Sequence, residues 1–97
     1  MASKIVWTNR ATDDLYSVYD TLSAFSDTRA ETVTEEIINN IHQLERFPRM
    51  GRIVPELNIE SIRELLIHRY RVVYSITDAT QIQILAVRHS SRPLAAI

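Results

Sequence analysis

The 97-residue sequence contains no cysteine. That single absence removes disulfides, thiolate nucleophiles and zinc–thiolate sites, and it fits a reducing compartment. Only one glycine and three prolines occur, so few positions can turn the chain sharply and most of it must lie in regular elements. No apolar run approaches the ~20 residues that cross a bilayer, and Met1 to Trp7 has no apolar signal-peptide core. The expectation is a cytoplasmic protein that does not associate with membranes. Neither sign of charge predominates. A formal net charge of -1 excludes the global cationic field that drives nonspecific nucleic-acid binding, so any anionic partner must be met locally. What is present is 45% hydrophobic and 24% charged, the balance of a folded chain, and the length suits one domain spanning residues 1–97.

Periodicity supplies the elements. Lys4-Ile5-Val6-Trp7 reads as a short strand, and Thr8-Asn9 can cap a helix behind it. Ala11, Leu15, Val18, Tyr19, Leu22 and Phe25 recur at three- and four-residue steps and mark one face of that helix. Thr28 and Glu31 have capping-box spacing and predict the start of a second helix. Its stripe is Ala30, Val33, Ile37, Ile41 and Leu44, widened by Ile38, and its predicted end is Phe47-Pro48. Gly51 marks a turn, and Ile53 to Leu57 is extended but interrupted by Pro55, at best an edge strand.

Three strand-like runs follow: Arg63 to Ile67, Tyr70 to Ile76 and Ile82 to Val87. In the middle run Tyr70, Val72, Tyr74 and Ile76 alternate with Arg69, Arg71, Val73 and Ser75, giving an apolar face and a face carrying cations. The expected fold is α+β, with elements β-α-α-β-β-β: a helical hairpin packed on one face of a small, mainly antiparallel sheet, the arginines on the open face or its rim.

Ile62-Arg63-Glu64-Leu65, Tyr70-Arg71-Val72-Val73-Tyr74 and Ile84 through Arg92-Pro93, in this order of elements, resemble the RelE/ParE superfamily of bacterial toxin–antitoxin toxins. Val6-Trp7-Thr8, Ala11, Asp14-Leu15 and Tyr19 are also similar to its pattern, as are Phe47-Pro48, Gly51-Arg52 and Pro55-Glu56-Leu57. The resemblance implies a toxin held inactive by a cognate antitoxin that wraps across its surface. RelE-like members cut messenger RNA in the ribosome, whereas ParE-like members are associated with poisoning DNA gyrase.

The residues divide between these branches. RNA cleavage through the 2'-hydroxyl needs a base, an acid and cations against the phosphate. Arg71 matches the central-strand arginine of RelE-like nucleases. The preceding strand, however, has Arg63 and Leu65 where those enzymes carry a lysine pair, and the sequence ends Leu94-Ala95-Ala96-Ile97 where they carry a tyrosine or a His-Tyr pair. The ParE-like branch is the better fit, with gyrase as the expected target and ribosome and mRNA as the alternative. An inactive antitoxin-binding module is the third reading.

If the chain were a nuclease, Arg71, Arg63 and His89 would be its catalytic set. Otherwise Arg69, Arg71, Arg88, His89 and Arg92 form a docking surface for an acidic antitoxin or the target. Arg71 is read first as a solvated strand-face arginine or an antitoxin ion pair, so its truncation is expected to leave folding nearly unchanged. Arg63 and Glu64 point to opposite sides of a strand, and each is expected to form a cross-strand ion pair. Trp7, Tyr16, Tyr19, Tyr70 and Tyr74 are read as core or groove walls. His42, His68 and His89 are too scattered for a metal set, and neither metal nor cofactor is expected.

Overall fold

The computed structural model describes residues 3–92 and follows this plan with one added element. In chain order the elements are β1 (Lys4–Trp7), α1 (Asn9–Ser23), α2 (Asp27–Gln43), β2 (Arg52–Ile53), β3 (Ile62–Ile67), β4 (Tyr70–Asp78) and β5 (Gln81–His89). They form a five-stranded sheet of order β1-β5-β4-β3-β2, in which β1 runs parallel to β5 and every other pair is antiparallel. The fold is α+β as expected. The proline-interrupted segment contributes the short edge strand β2, and Pro93 and the terminal Leu94 to Ile97 lie outside the described residues.

Both helix starts rest on a hydroxyl. Thr8 is extended at the head of α1, and its Oγ1 accepts the Ala11 N–H at 3.1 Å while donating to the Ile84 carbonyl at 2.9 Å. One side chain therefore caps the helix and fastens it to β5. The second start differs from expectation. Ser26, not Thr28, caps α2 by accepting the Arg29 N–H at 3.2 Å, and Asp27 puts a carboxylate at the positive end of the helix. Thr28 and Glu31 are already helical and exposed. The α-helix also stops early, at Gln43, and looser turns carry the chain to Phe47, whose N–H reaches the Gln43 carbonyl at 2.9 Å.

The main core lies between the helices and the sheet. Ala11 and Val18 of α1 and Val33, Ile37 and Ile41 of α2 meet Leu65, Ile67, Val72, Tyr74, Ile82, Ile84 and Val87. Each fully buried aliphatic side chain here contributes about 1.5–3 kcal/mol of transfer free energy. The predicted alternation along β4 holds, since Tyr70, Val72, Tyr74 and Ile76 all belong to this helix-facing layer.

The other face is less open than the alternation implied. Val54, Val73 and Ala86 are buried there, with Leu57, Ile62 and Leu85 packed around them. The segment after β2 folds over the sheet and covers it, because Val54 and Leu57 carry apolar surface that β2 is too short to bury. A register shift opposite Val73/Tyr74 leaves Leu85 as an extra residue on β5. Leu85 and Ala86 thus both serve the second layer, and beyond this bulge the edge-facing backbone groups of β5 change parity.

Tyr74 anchors the loop before β2. It is fully buried, its hydroxyl donates to the Pro48 carbonyl at 2.7 Å and it accepts the Gly51 N–H at 3.0 Å. A β-carbon on Gly51 would lie 2.6 Å from both the Glu64 carbonyl oxygen and the Tyr74 hydroxyl. Space, not a left-handed backbone, makes this position glycine, as the φ of Gly51 is not positive.

Candidate functional site

On the second face the four charged groups of Arg52, Glu56, Glu64 and Arg71 join into one network. Arg71 Nε donates to Glu64 Oε1 at 2.6 Å, and its Nη1 and Nη2 donate to the two Glu56 oxygens at 2.6 and 2.8 Å. Arg52 Nε takes the other Glu64 oxygen at 2.6 Å. The Glu64 side chain is 0% exposed and that of Arg71 only 8%. Arg71 is thus not the solvated strand-face arginine expected from alternation. Its face is right and its burial is not, because the Val54 to Ser61 segment crosses over it. Two carboxylates offset the desolvation of one guanidinium, the bidentate Glu56 contact matching its planar fork.

Arg71 is held protonated above its already high range by these partners, the Glu56 hydrogen bonds foremost. The same contact lowers Glu56 from an ordinary value of 4.5 to about 2. A carboxylate whose folded pKa is depressed adds stability above its unfolded pKa and loses it as pH falls through the folded one. Acid should therefore weaken the fold progressively from about pH 4.5 to about pH 2 through this group. In urea titrations across that window, Glu56→Gln should show a shallower loss of stability with falling pH than the unsubstituted protein.

The three residues of the nuclease reading do not converge. Arg63 lies opposite Tyr74 on the helix-facing side of β3, whereas Arg71 belongs to the other face. The Arg63 guanidinium is spent on the Gly51 carbonyl at 2.9 Å, the Glu60 carbonyl at 3.1 Å and the Glu60 carboxylate at 3.1 Å. Its ion pair is thus local, three residues away, and not cross-strand as expected. Glu60 is also the partner of Arg49. Glu64, by contrast, does pair across strands, with Arg52 of β2 and Arg71 of β4. His89 lies opposite Tyr70 and meets its ring edge-on, with centroids 5.4 Å apart.

The expected docking cluster divides in the same way. Arg88 is the cross-strand partner of Arg71 and shares its face, while His89 belongs with Tyr70 on the helix-facing side. Arg92 follows β5, its N–H donating to the His89 carbonyl at 3.0 Å, and Arg69 sits in the β3–β4 turn with its carbonyl accepting from Ser90 at 2.7 Å. His68, in the same turn with φ 54, reaches Glu36 of α2 at 2.5 Å. Among the described residues no group of three His, Cys, Asp or Glu side chains could hold a metal ion.

Where α1 and α2 meet the end of β1, Trp7, Leu15, Tyr16, Tyr19 and Ile38 line an apolar groove of about 530 Å³. Tyr16 is 69% exposed within it, so the wall reading suits this aromatic better than the core reading. Tyr74, fully buried and with its phenol pushed up chiefly by burial, is core and no acid.

Comparison with known proteins now decides the family. Residues 5–94 match the family model described as ParE toxin of type II toxin–antitoxin system, parDE. The chain belongs to the ParE toxin family. It is similar to Toxin RelE2 of Caulobacter vibrioides, 28% identical over 91 residues that cover 93% of this chain and 98% of that one. Its fold is shared with a chain of the chromosomal ParDE system from P. aeruginosa, at a TM-score of 0.74 and 20% identity over 91% of this chain and 96% of that one. The toxin–antitoxin complex RelBE2 from Mycobacterium tuberculosis supplies another such structure, at a TM-score of 0.62 and 23% identity over 92% and 99% of the two chains. The RelE/ParE superfamily and its α+β fold are thereby established for this chain.

Within this family of toxins, the position of Arg71 takes on a specific meaning. All three guanidinium nitrogens face a carboxylate of Glu56 or Glu64. An arginine so occupied has little left to offer a phosphate. The sequence pattern pointed to Arg71 and included Glu56 within Pro55-Glu56-Leu57, but as a lone loop carboxylate without a visible partner; the partner is Arg71 itself, fifteen residues downstream.

Proposed function

We propose that this ParE-family toxin arrests growth by inhibiting DNA gyrase in the cytoplasm, without cleaving RNA, and that a cognate antitoxin neutralises it. The observation that carries this reading is the sequestration of Arg71 by Glu56 and Glu64, together with the separation of Arg63 and His89 from it. A nuclease needs its acid, base and phosphate cations on one substrate, and here the candidates occupy different surfaces. The apolar groove along Trp7, Tyr16 and Tyr19 supports docking of an amphipathic antitoxin segment, a recurring mode in which apolar anchors enter a groove beside helices.

A second reading is favoured by one observation. The relative named Toxin RelE2 matches nearly the whole chain, so a ribosome-dependent endoribonuclease is the alternative. Induction of the toxin in cells lacking the antitoxin distinguishes the two. Gyrase inhibition predicts filamentation and a DNA-damage response while messages stay intact. Rapid in-frame message cleavage would overturn the proposal, and co-expression of the antitoxin should restore growth under either reading.

A further inference from the structure

β2 closes the sheet at the end far from β1, and its outer side pairs with no other strand. Which groups it presents follows from the ladder. The Val54 N–H donates to the Ile62 carbonyl at 3.1 Å, so Val54 and Ile62 form a hydrogen-bonded pair, as do Arg52 and Glu64 two residues earlier. Ile53, opposite Arg63, falls at the intervening position, where its N–H and its carbonyl both face outward. The next ladder agrees. The Ile76 N–H donates to the Ser61 carbonyl at 2.8 Å, a register that turns the backbone groups of Arg63 toward β4 and away from β2. Neither outward group of Ile53 has a partner among the described residues. Pro55 has no N–H to offer two residues further on, so a long guest strand finds nothing more to pair with. A single residue with both donor and acceptor outward suits an antiparallel mate. When the mate is the same residue of a second copy, both bonds form about one two-fold axis.

The side chains around this edge fit the same mate. Phe47 and Met50, in the loop that leads into β2, are 60% and 39% exposed, and with Pro48 and Arg49 they line a shallow depression of about 490 Å³. Apolar surface gathered beside an unpaired strand edge marks an interaction site. Charge is complementary as well. A register centred on Ile53 sets Arg52 opposite Val54 of the second copy, beside the segment that carries that copy's Glu56. Arg52 has a side chain 55% exposed and commits only its Nε, to Glu64, while the Glu56 side chain is 44% exposed. Each copy thus brings a guanidinium to the side on which the other brings a carboxylate.

We propose that the outer edge of β2 is a self-association surface, through which two copies of this chain form a two-fold symmetric dimer centred on Ile53 and join their five-stranded sheets into one. The edge lies at the opposite end of the sheet from β1 and Trp7, so the apolar groove stays open in the dimer. The inference does not depend on the gyrase reading, and its test uses the isolated full chain. Sedimentation velocity from about 5 μM to about 500 μM, a span that covers micromolar dissociation constants, should show a monomer–dimer equilibrium. Ile53→Lys places a charge on the edge and should raise the dissociation constant about tenfold or more. Met50→Glu should act in the same direction from the apolar side, whereas Tyr16→Ser, in the groove, should leave the equilibrium unchanged. Circular dichroism identifies which variants are folded, and Met50, exposed in a loop, keeps the test valid if the change at Ile53 disturbs β2. A chain that stays monomeric across the range, a dimer that folded Met50→Glu does not weaken, or one that Tyr16→Ser dissolves would overturn the proposal.

Discussion

Arg71→Ala should destabilise the protein by about 3–5 kcal/mol, because it leaves a buried carboxylate without its main counter-charge. Glu64 is wholly enclosed, and of its two partners only Arg52 would remain, itself more than half exposed. Glu56 would lose its partner as well, but it is near enough to solvent to be rehydrated. A domain of this size has a total stability of about 5–15 kcal/mol, so the loss should be visible as a markedly lower urea midpoint. This reverses the expectation, drawn from strand alternation, that truncation at Arg71 spares the fold. Loss of toxicity in Arg71→Ala cells would then follow the amount of folded protein, which soluble expression level and urea midpoint would both report.

The second large effect should come from Tyr74→Ala, at about 3–5 kcal/mol, from removal of a fully buried aromatic ring. The cavity would open where Tyr74 meets the helix-facing core, and the Pro48 carbonyl and Gly51 N–H would lose their shared partner. Tyr74→Phe separates the two contributions. It keeps the ring and removes only the hydroxyl bonds, so its cost should be nearer 1–3 kcal/mol. The same hydroxyl positions the loop that carries Gly51 and the start of β2, and Glu64 pairs with Arg52 across that edge. Equilibrium urea unfolding of the two variants should therefore rank alanine well below phenylalanine.

Much of the architecture could be read from local pattern, because its information is local. The stripes Ala11–Val18 and Val33–Ile37–Ile41 identify the hairpin by spacing alone, and Tyr70, Val72, Tyr74 and Ile76 identify the helix-facing side of β4. Thr8 was legible as a cap, since a hydroxyl three residues before an apolar helical position has few other roles. Thr28 and Glu31 have equally good spacing, but Ser26, with extended backbone and Asp27 behind it, takes the cap first. Spacing alone cannot rank two adjacent caps.

The site was less legible, for a physical reason. Alternation correctly assigned Arg71 to the face away from the helices, but its burial depends on where the Val54 to Ser61 segment folds. That is a long-range outcome, set by Val54 and Leu57 finding Val73 and Ala86. Pro55 and Glu56 look like an ordinary solvent loop in sequence, and nothing local shows that Glu56 meets an arginine fifteen residues on. The Leu85 bulge is equally silent, although it decides which backbone groups of Val87 and His89 face outward. A register count made on a regular strand would have assigned the opposite set.

The most direct test of the central claim, that Arg71 supports the fold and takes no part in chemistry, is the toxicity of Arg71→Met combined with Glu64→Leu. Removing both members of a buried ion pair in favour of apolar side chains of similar volume is often tolerated, unlike removal of one. The double variant should fold and still arrest growth on induction as the unsubstituted toxin does. A double variant that is folded by circular dichroism and urea midpoint, yet no longer arrests growth, would contradict the account and return Arg71 to the reaction or to the target interface.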